Sequence, residues 1–356
     1  MSNTAALKAP RIERYRFELL DSDEKVIGEL RTVSGGYIDS SIFNTIHSGG
    51  TLALVEDEAQ EIDYLNDRIK CYYEMYYDGS WISYPLGIYL LSSPNRESSS
   101  GYIARNIEIY DKLLILEQDI ISASYTVASG TNVVTEVTSI ITGAGETGVS
   151  IEATTEVTAA AKTWEAGTSK LRIINDLLGS INYFTLRANN AGRYTSQPYV
   201  LPAARGISWE FIDNSEGLYL PSFTQELDYY FVPNKVVLVV SNPEQTELTA
   251  TATNEDASSP FSYQARGRWI VDFRTEIEAT SQSVLDDKAE RILAEGMQLN
   301  EGIEYQHAYI PLELHNAVTF KNSQLGISAN YTIARQRTPL KAGELVRSSI
   351  RRVMTY

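Results

Sequence analysis

Histidine occurs three times in this 356-residue chain and cysteine once. The single cysteine, Cys71, excludes an intrachain disulfide and any CxxC metal or redox pair. A zinc-type site needs three or four converging ligands. His47, His307 and His315 do not supply them in sequence: His307 and His315 are a strand-length apart, with Glu313 near the second, and solvent-facing strand positions account for both. No GxSxG elbow is present for Ser-His-Asp catalysis. Gly143-Ala144-Gly145 is too short a glycine run to cradle phosphates. No apolar run is long enough to cross a bilayer, and Val236 to Val240 reads as an ordinary buried strand. Met1 to Pro10 lacks the apolar core of a signal peptide. The expectation is a protein made and folded in a cytoplasm, not inserted in a membrane.

Basic residues are in short supply as well. Thirty Lys and Arg face 46 Asp and Glu, a formal net charge of −16. Wrapping nucleic acid requires basic surface that releases counterions from phosphates, so that class is disfavoured. An acidic wall instead repels phosphates and leaves DNA free to slide past. The acidic pairs Asp57/Glu58 and Asp286/Asp287 have the residue type of a glycosidase dyad. The first sits in an acidic loop and the second in the opening turn of a helix, where anions are expected anyway. The sequence therefore offers no catalytic, cofactor-binding or metal-binding residues, and no cofactor.

Hydrophobic residues make up 43% of the chain and charged residues 21%, as in a folded globular protein of two or three domains. The clearest element lies near the C-terminus. Leu285, Ala289, Ile292, Leu293 and Gly296 keep helical spacing, with Ser283 as the N-cap, Asp286 and Asp287 in the first turn and Gly296 as the stop. Strand-like runs flank it: Trp269 to Glu278, Tyr305 to Leu314, Ala329 to Thr338 and Val346 to Met354. One helix across a closed or nearly closed antiparallel sheet is the reading.

Residues 1–13 read as a flexible arm. Tyr15, Phe17 and Leu19 alternate with charged residues, the period of a half-buried strand. Asp21 to Lys25 turns and Val26 to Val33 returns. Gly35-Gly36 and Gly49-Gly50 bracket Tyr37 to His47, a mobile loop or a short strand. The best hairpin follows: Ile69, Cys71, Tyr73, Met75 and Tyr77 line one face, Asp78-Gly79 suits a type I′ turn, and Trp81 to Leu91 returns with Pro85 at an edge or bulge. Ser92 to Gly101 reads as a polar loop before the strand Tyr102 to Tyr110. These segments form a first β-barrel domain over 14–116. Region 117–232 is a mixed insert that returns to a barrel, with helices at Val133 to Gly143 and Ser169 to Leu178. The stretch 233–356 is a second β-barrel domain with one packed helix at 281–296. The fold class is mainly β with some α: two antiparallel β-barrel or sandwich domains and a small α/β insert.

Twenty-three tyrosines are conspicuous, among them Tyr72, Tyr73, Tyr76, Tyr77, Tyr84, Tyr89, Tyr229 and Tyr230. Exposed, they would stack on sugars; the favoured reading is that tyrosine fills sheets and subunit contacts. Arg266, Arg268, Arg335, Arg337, Arg347, Arg351 and Arg352 make the last domain locally basic, as partners for acidic neighbours or as a solvated face.

Several segments carry a resemblance: Tyr76-Tyr77-Asp78-Gly79-Ser80-Trp81 followed by Pro85-Leu86-Gly87-Ile88-Tyr89, then Ile109-Tyr110-Asp111-Lys112-Leu113, Trp164-Glu165-Ala166-Gly167-Thr168-Ser169, and Ser328 to Arg352 with Leu340-Lys341-Ala342-Gly343-Glu344. In this order the chain resembles the baseplate hub, or central tail-tip (minor tail), proteins of bacteriophages. The resemblance implies tube-protein-like barrels, two per subunit, and a homotrimer whose pseudo-sixfold ring continues the tail tube and lines the DNA channel. It implies a structural virion protein of the tail tip, not an enzyme, made in the host bacterial cytoplasm. Its implied partners are the tail tube or distal tail protein, the tape-measure protein and receptor-binding or fibre proteins, with DNA passing unbound. Some relatives carry a lysozyme or peptidase domain; ending at Tyr356, this chain is expected to lack one. The alternatives are a carbohydrate-binding tail adhesin, a tube-like distal tail adaptor and, less in keeping with the residues, a cell-wall hydrolase.

Overall fold

The computed structural model describes residues 4–30, 33–55, 61–99, 102–158, 160–200, 204–214, 217–228, 232–240, 248–275, 282–296 and 299–354. The first elements are α1 (Thr4–Lys8), β1 (Ile12–Leu20), β2 (Val26–Glu29), β3 (Val33–Ser41), β4 (Ser48–Val55), β5 (Arg68–Tyr77), β6 (Ser80–Ser99) and β7 (Tyr102–Asp111). Next come α2 (Leu113–Gln118), β8 (Tyr125–Val127), α3 (Val133–Gly143), β9 (Lys162–Trp164), α4 (Lys170–Ser180), β10 (Arg187–Ala188), β11 (Tyr194–Thr195), β12 (Ile207–Ile212) and β13 (Tyr219–Asp228). The chain closes with β14 (Lys235–Val240), β15 (Leu248–Thr253), α5 (Tyr263–Arg266), β16 (Val271–Arg274), α6 (Gln282–Gly296), β17 (Leu299–His307), β18 (Ala317–Asn322), β19 (Ile327–Pro339) and β20 (Val346–Met354). The chain forms two compact units: Met1–Ser222 with Tyr305–Ser349, and Phe223–Glu304 with Ile350–Tyr356.

The architecture is β-rich with a few helices. Thirteen strands join in one sheet, ordered β13-β17-β20-β19-β3-β4-β7-β6-β5-β1-β2, with β18 branching from β19 and β12 from β18. The long strand β19 makes the branch possible. Its Ile327 to Thr332 half pairs antiparallel with β18, and its Arg335 to Pro339 end pairs with β3. β12 lies parallel to β18. The expected barrels do not close among the described residues, because the order ends on β2, a four-residue strand paired only with β1. Short edge strands expose few unpaired backbone groups.

The first hairpin follows its sequence. Ile69, Cys71, Tyr73 and Met75 are buried, and Asp78 and Gly79 both hold positive φ, 48° and 80°, as a type I′ turn requires. Pro85 lies in a strand flanked on both sides, but at a register shift where Tyr72 faces Pro85 and Cys71 faces Gly87, so the ladder loses no proline N–H. Tyr37 to Ser41 is strand, not loop. Ser92 to Ser99 continues β6 through pairs such as Arg96 with Arg105; a polar two-stranded extension needs backbone pairing and no apolar face. The N-terminal segment, expected as an arm, is helical over Thr4–Lys8 with Ala6 and Leu7 buried.

Within the insert, α3 is capped by Asn132, whose side chain accepts from the Thr135 amide, and α4 by Ser169, which accepts from the Arg172 amide. Leu171, Ile174, Leu177 and Leu178 of α4 pack with Val133, Val137 and Ile141 of α3 in one core. Gly179 lies inside α4, one residue short of its end, rather than past it.

In the second unit, Leu285, Ala289, Ile292 and Leu293 of α6 bury against Val236, Leu238, Ala250 and Ala252. The sheet beneath them is three-stranded and mixed, ordered β15-β14-β16 with β14 and β16 parallel, rather than a closed antiparallel one. The cap is placed differently too. Ser283 is an exposed residue within the helix; Gln282 ties the first turn down by donating to the Thr249 carbonyl and the Asp286 carboxylate. Gly296 is the last residue of the helix, and a Cβ there would meet Pro233 Cγ at 2.7 Å.

Candidate functional site

The residues weighed for chemistry do not converge. Asp57 and Glu58 lie outside the described residues, and the described residues contain no cluster of three or more metal-ligating side chains. None of their helices is long and apolar enough to cross a membrane. The histidines are not solvent-facing strand residues. His307 is fully buried, with Nδ1 2.7 Å from the Ala308 carbonyl and Nε2 2.8 Å from Ser348 Oγ. Burial pulls its pKa down to about 4. Burial, with the Arg187 guanidinium near both, holds His47 and His315 each near 4.

Two polar constellations are built in the first unit. One is a buried ion lattice. Lys112, wholly buried between β7 and α2, binds Glu24 of the β1–β2 turn and Glu146 after α3, and donates to the Gly192 carbonyl. Arg68, opening β5, reaches the same carboxylates, at 3.0 Å for Glu24 and 2.6 Å for Glu146. The Tyr194 hydroxyl donates to the Lys112 carbonyl at 2.9 Å. Two cations thus meet two carboxylates, and the lattice ties the insert to the β1–β5–β7 part of the sheet. Asp119 and Lys170, 2.6 Å apart, and Trp164 donating to Asp176 hold the insert together.

The other is a small, mostly enclosed pocket of about 40 Å³ lined by His47, Tyr89, Asp111, Arg187 and Glu313. Asp111 accepts the amides of Ser48 and Leu113 at 2.8 and 2.9 Å, while burial pushes its carboxyl up to about 7. Tyr89 Oη lies 3.0 Å from Ser48 Oγ and donates to the Leu86 carbonyl. Arg187 is paired with Glu313 at 3.0 Å. The set has hydrogen-bonding capacity but no nucleophile beside a competent base, and its histidine is held neutral. Of these residues, Tyr89, Asp111 and Lys112 lie in segments singled out in the sequence, and His47 and Glu313 enter there only as metal ligands; partnerships at separations of 44 to 88 residues leave no local signal.

Seven tyrosines, Tyr73, Tyr84, Tyr89, Tyr194, Tyr305, Tyr309 and Tyr331, are buried, and most of the other described ones are half-buried. Tyr73 stacks on Tyr309 at 4.1 Å between ring centroids and meets Tyr15 edge-on at 5.5 Å. A second aromatic group joins Phe211, Tyr219, Tyr305, Phe320 and His307. Tyr229 and Tyr230 lie outside the described residues.

No family model and no curated protein matches this chain. The fold is that of phage tail proteins. A tail protein from Neisseria meningitidis MC58 matches 96% of this chain over 97% of its own, at 12% identity and a TM-score of 0.66. The 43 kDa tail protein of prophage MuSo2 from Shewanella oneidensis matches 95% over 98%, at 12% identity and 0.64. A chain of the Francisella PdpA–VgrG complex covers 97% of this one with 59% of its own length, at 11% identity and 0.56.

With the tail-protein fold in view, the basic residues sort by contact. Arg335 lies over the Phe43 ring at 5.1 Å and Arg337 over Tyr37 at 3.6 Å, both on exposed positions of β19. Arg352 pairs with buried Glu301, and Arg266 donates to the Val232 carbonyl. The locally basic character is thus partly spent inside the chain's own packing.

Proposed function

We propose that this chain is a structural component of a phage tail: a baseplate hub that trimerises into a ring joining the tail tube to the tip. The observation that carries the reading is likeness over whole chains, with two tail proteins matched across at least 95% of both partners. A likeness confined to one barrel would have spoken only for a common module. The residue chemistry agrees with a geometric role, since the buried polar groups are committed to holding elements together. The tail tube or distal tail protein, the tape-measure protein and the receptor-binding or fibre proteins are the neighbours this role requires. Two tube-protein-like barrels per subunit, as the resemblance implies, three times over would match a sixfold tube end. A net charge of −16 suits a channel through which DNA passes without sticking. In this reading the chain is not an enzyme and works in the virion at the tail tip, after synthesis in the bacterial cytoplasm.

Electron microscopy of the purified chain, with its mass in solution, tests this. The expected particle is a hollow threefold ring at high concentration. A sixfold ring would transfer the assignment to a tube-like distal adaptor, and a bore lined mainly by Lys and Arg would overturn the acidic channel. A carbohydrate-binding adhesin has less support, because only three described tyrosines, Tyr76, Tyr199 and Tyr263, are exposed.

A further inference from the structure

Next to Arg187 an open pocket of about 290 Å³ is lined by Phe184, Arg187, Arg205, Leu314, His315 and neighbouring residues. Arg205 reaches across it. Its Nε donates to the Val200 carbonyl at 2.9 Å, and its Nη1 lies 3.3 Å from the His315 carbonyl and 3.2 Å from Thr332 Oγ1. The guanidinium faces the Phe184 and Tyr199 rings, at 5.2 and 5.6 Å. All these partners are neutral, and no described carboxylate pairs with it. A half-buried cation left without a counter-charge carries a desolvation cost that a bound anion relieves. The charges of Arg187 and Glu313 cancel, which leaves the pocket a net single positive charge from Arg205. His315 adds a second sign of a built site. It holds φ at 68°, a strained conformation for a residue with a Cβ, meets the Phe184 ring at a tilt with centroids 4.6 Å apart, and no described group bonds its ring nitrogens. Burial and the positive charges of Arg187 and Arg205 keep that ring neutral.

We propose that this pocket binds a carboxylate, held by Arg205 with His315 beside it. One positive charge matches one carboxylate, whereas a phosphate brings about −1.5 to −2 and would leave the pocket overcharged. A chain of net charge −16 also keeps polyanions away in general. With Nε and Nη1 engaged, the guanidinium's Nη2 is left to donate to a carboxylate, and the Phe184, Val200 and Leu314 walls suit the apolar stem of an aspartate or glutamate side chain.

The experiment follows the three imidazoles by NMR in the full-length chain at constant ionic strength. Acetate, inorganic phosphate and a blocked Ala-Glu-Ala peptide are added in turn. The expected result is a saturable shift of the His315 signals with acetate and the peptide, accompanied by a rise in the His315 pKa, while buried His307 stays still and reports an intact fold. Arg205→Gln should weaken binding at least tenfold. Arg205→Lys, which keeps the charge and loses the guanidinium's anchoring contacts, should weaken it less. Tighter binding of the peptide than of acetate assigns the ligand to a protein side chain; equal binding assigns it to a free carboxylate. Stronger binding of phosphate than of acetate, no saturable shift with any probe, or an Arg205→Gln chain that folds and binds as before would overturn the proposal.

Discussion

Lys112 Nζ lies 3.2 Å from Glu146 Oε2 with almost no solvent access to either side chain. One of these residues directly follows β7 and the other follows α3, so the contact fixes where the insert sits. Its partners Arg68 and Glu24 make it a four-charge lattice, in which each charge is compensated only while the other three are present. Removing one member strands a buried charge. Lys112→Met should therefore cost about 3–5 kcal/mol in urea unfolding, as breaking buried pairs does. Adding Glu24→Gln to Lys112→Met should restore part of that loss, because Arg68 and Glu146 can then pair alone. A single variant that loses less than about 1 kcal/mol would mean that water already screens the lattice.

Acid should weaken the fold well above the usual carboxylate range. His47, His307 and His315 each titrate near 4 in the folded chain against 6.5 unfolded. The unfolded chain therefore takes up protons first as pH falls, and stability held above pH 6.5 is lost on the way to pH 4. Asp111 acts in the opposite sense. Its folded value near 7 lies above 3.8, so its contribution is complete below pH 3.8 and fades as pH rises toward 7. Three histidines outweigh one aspartate, and unfolding between pH 4 and 6.5 should take up about two protons net. Urea midpoints at pH 7, 6 and 5 should fall in that order. Asp111→Asn should steepen the fall; midpoints that stay level on acidification would contradict the burial of these imidazoles.

The parts of the fold legible in the sequence are those whose signal is local. The β5–β6 hairpin shows as a period of two around Asp78-Gly79, and α6 as Leu285, Ala289, Ile292 and Leu293 on one face. Non-local pairing left no such trace. The parallel strands β12 with β18 and β14 with β16 are brought together across 110 and 36 residues, counted from Ile207 to Ala317 and from Lys235 to Val271. The β6 extension beyond Ser92 is polar on both faces, so its strand character rests on backbone pairing that composition does not record. The lattice residues Arg68, Glu24 and Glu146 read as surface charges until the fold buries them. His47 and His315, 268 residues apart, acquire a common neighbour in Arg187 only through tertiary structure.

Gly50 is a steric requirement rather than a flexible joint. A Cβ there would stand 2.0 Å from the Tyr37 carbonyl oxygen, which the β3–β4 ladder holds in place. Gly50→Ala should force the two strands apart, and hydrogen exchange should show lost protection in Val33–Ser41 and Ser48–Val55. Gly143→Ala is the contrast: nothing lies within 4 Å of its Cβ position, and it closes helix α3. That change should be neutral or stabilising by up to about 1 kcal/mol. Equal behaviour of the two variants would remove the argument from close strand approach.

The second unit rests on one helix face, and a single truncation should expose how much that face contributes. Leu285 is fully buried with Ala289, Ile292 and Leu293 against Val236, Leu238, Ala250 and Ala252. These strand neighbours are held by paired backbones and have little freedom to move into a void. Leu285→Ala should therefore fall in the range of about 2–5 kcal/mol seen for buried leucines whose sites relax only partly. Hydrogen exchange should locate the effect, with faster exchange in β14 and β15 and little change in the β5–β6 hairpin, which belongs to the other unit. Leu285→Met, close to volume-conserving, should cost under about 1.5 kcal/mol. If Leu285→Ala and Leu285→Met proved equally mild, the helix would be lying loosely on its sheet, and the stability of this unit would have to come from β14 and its two neighbours alone.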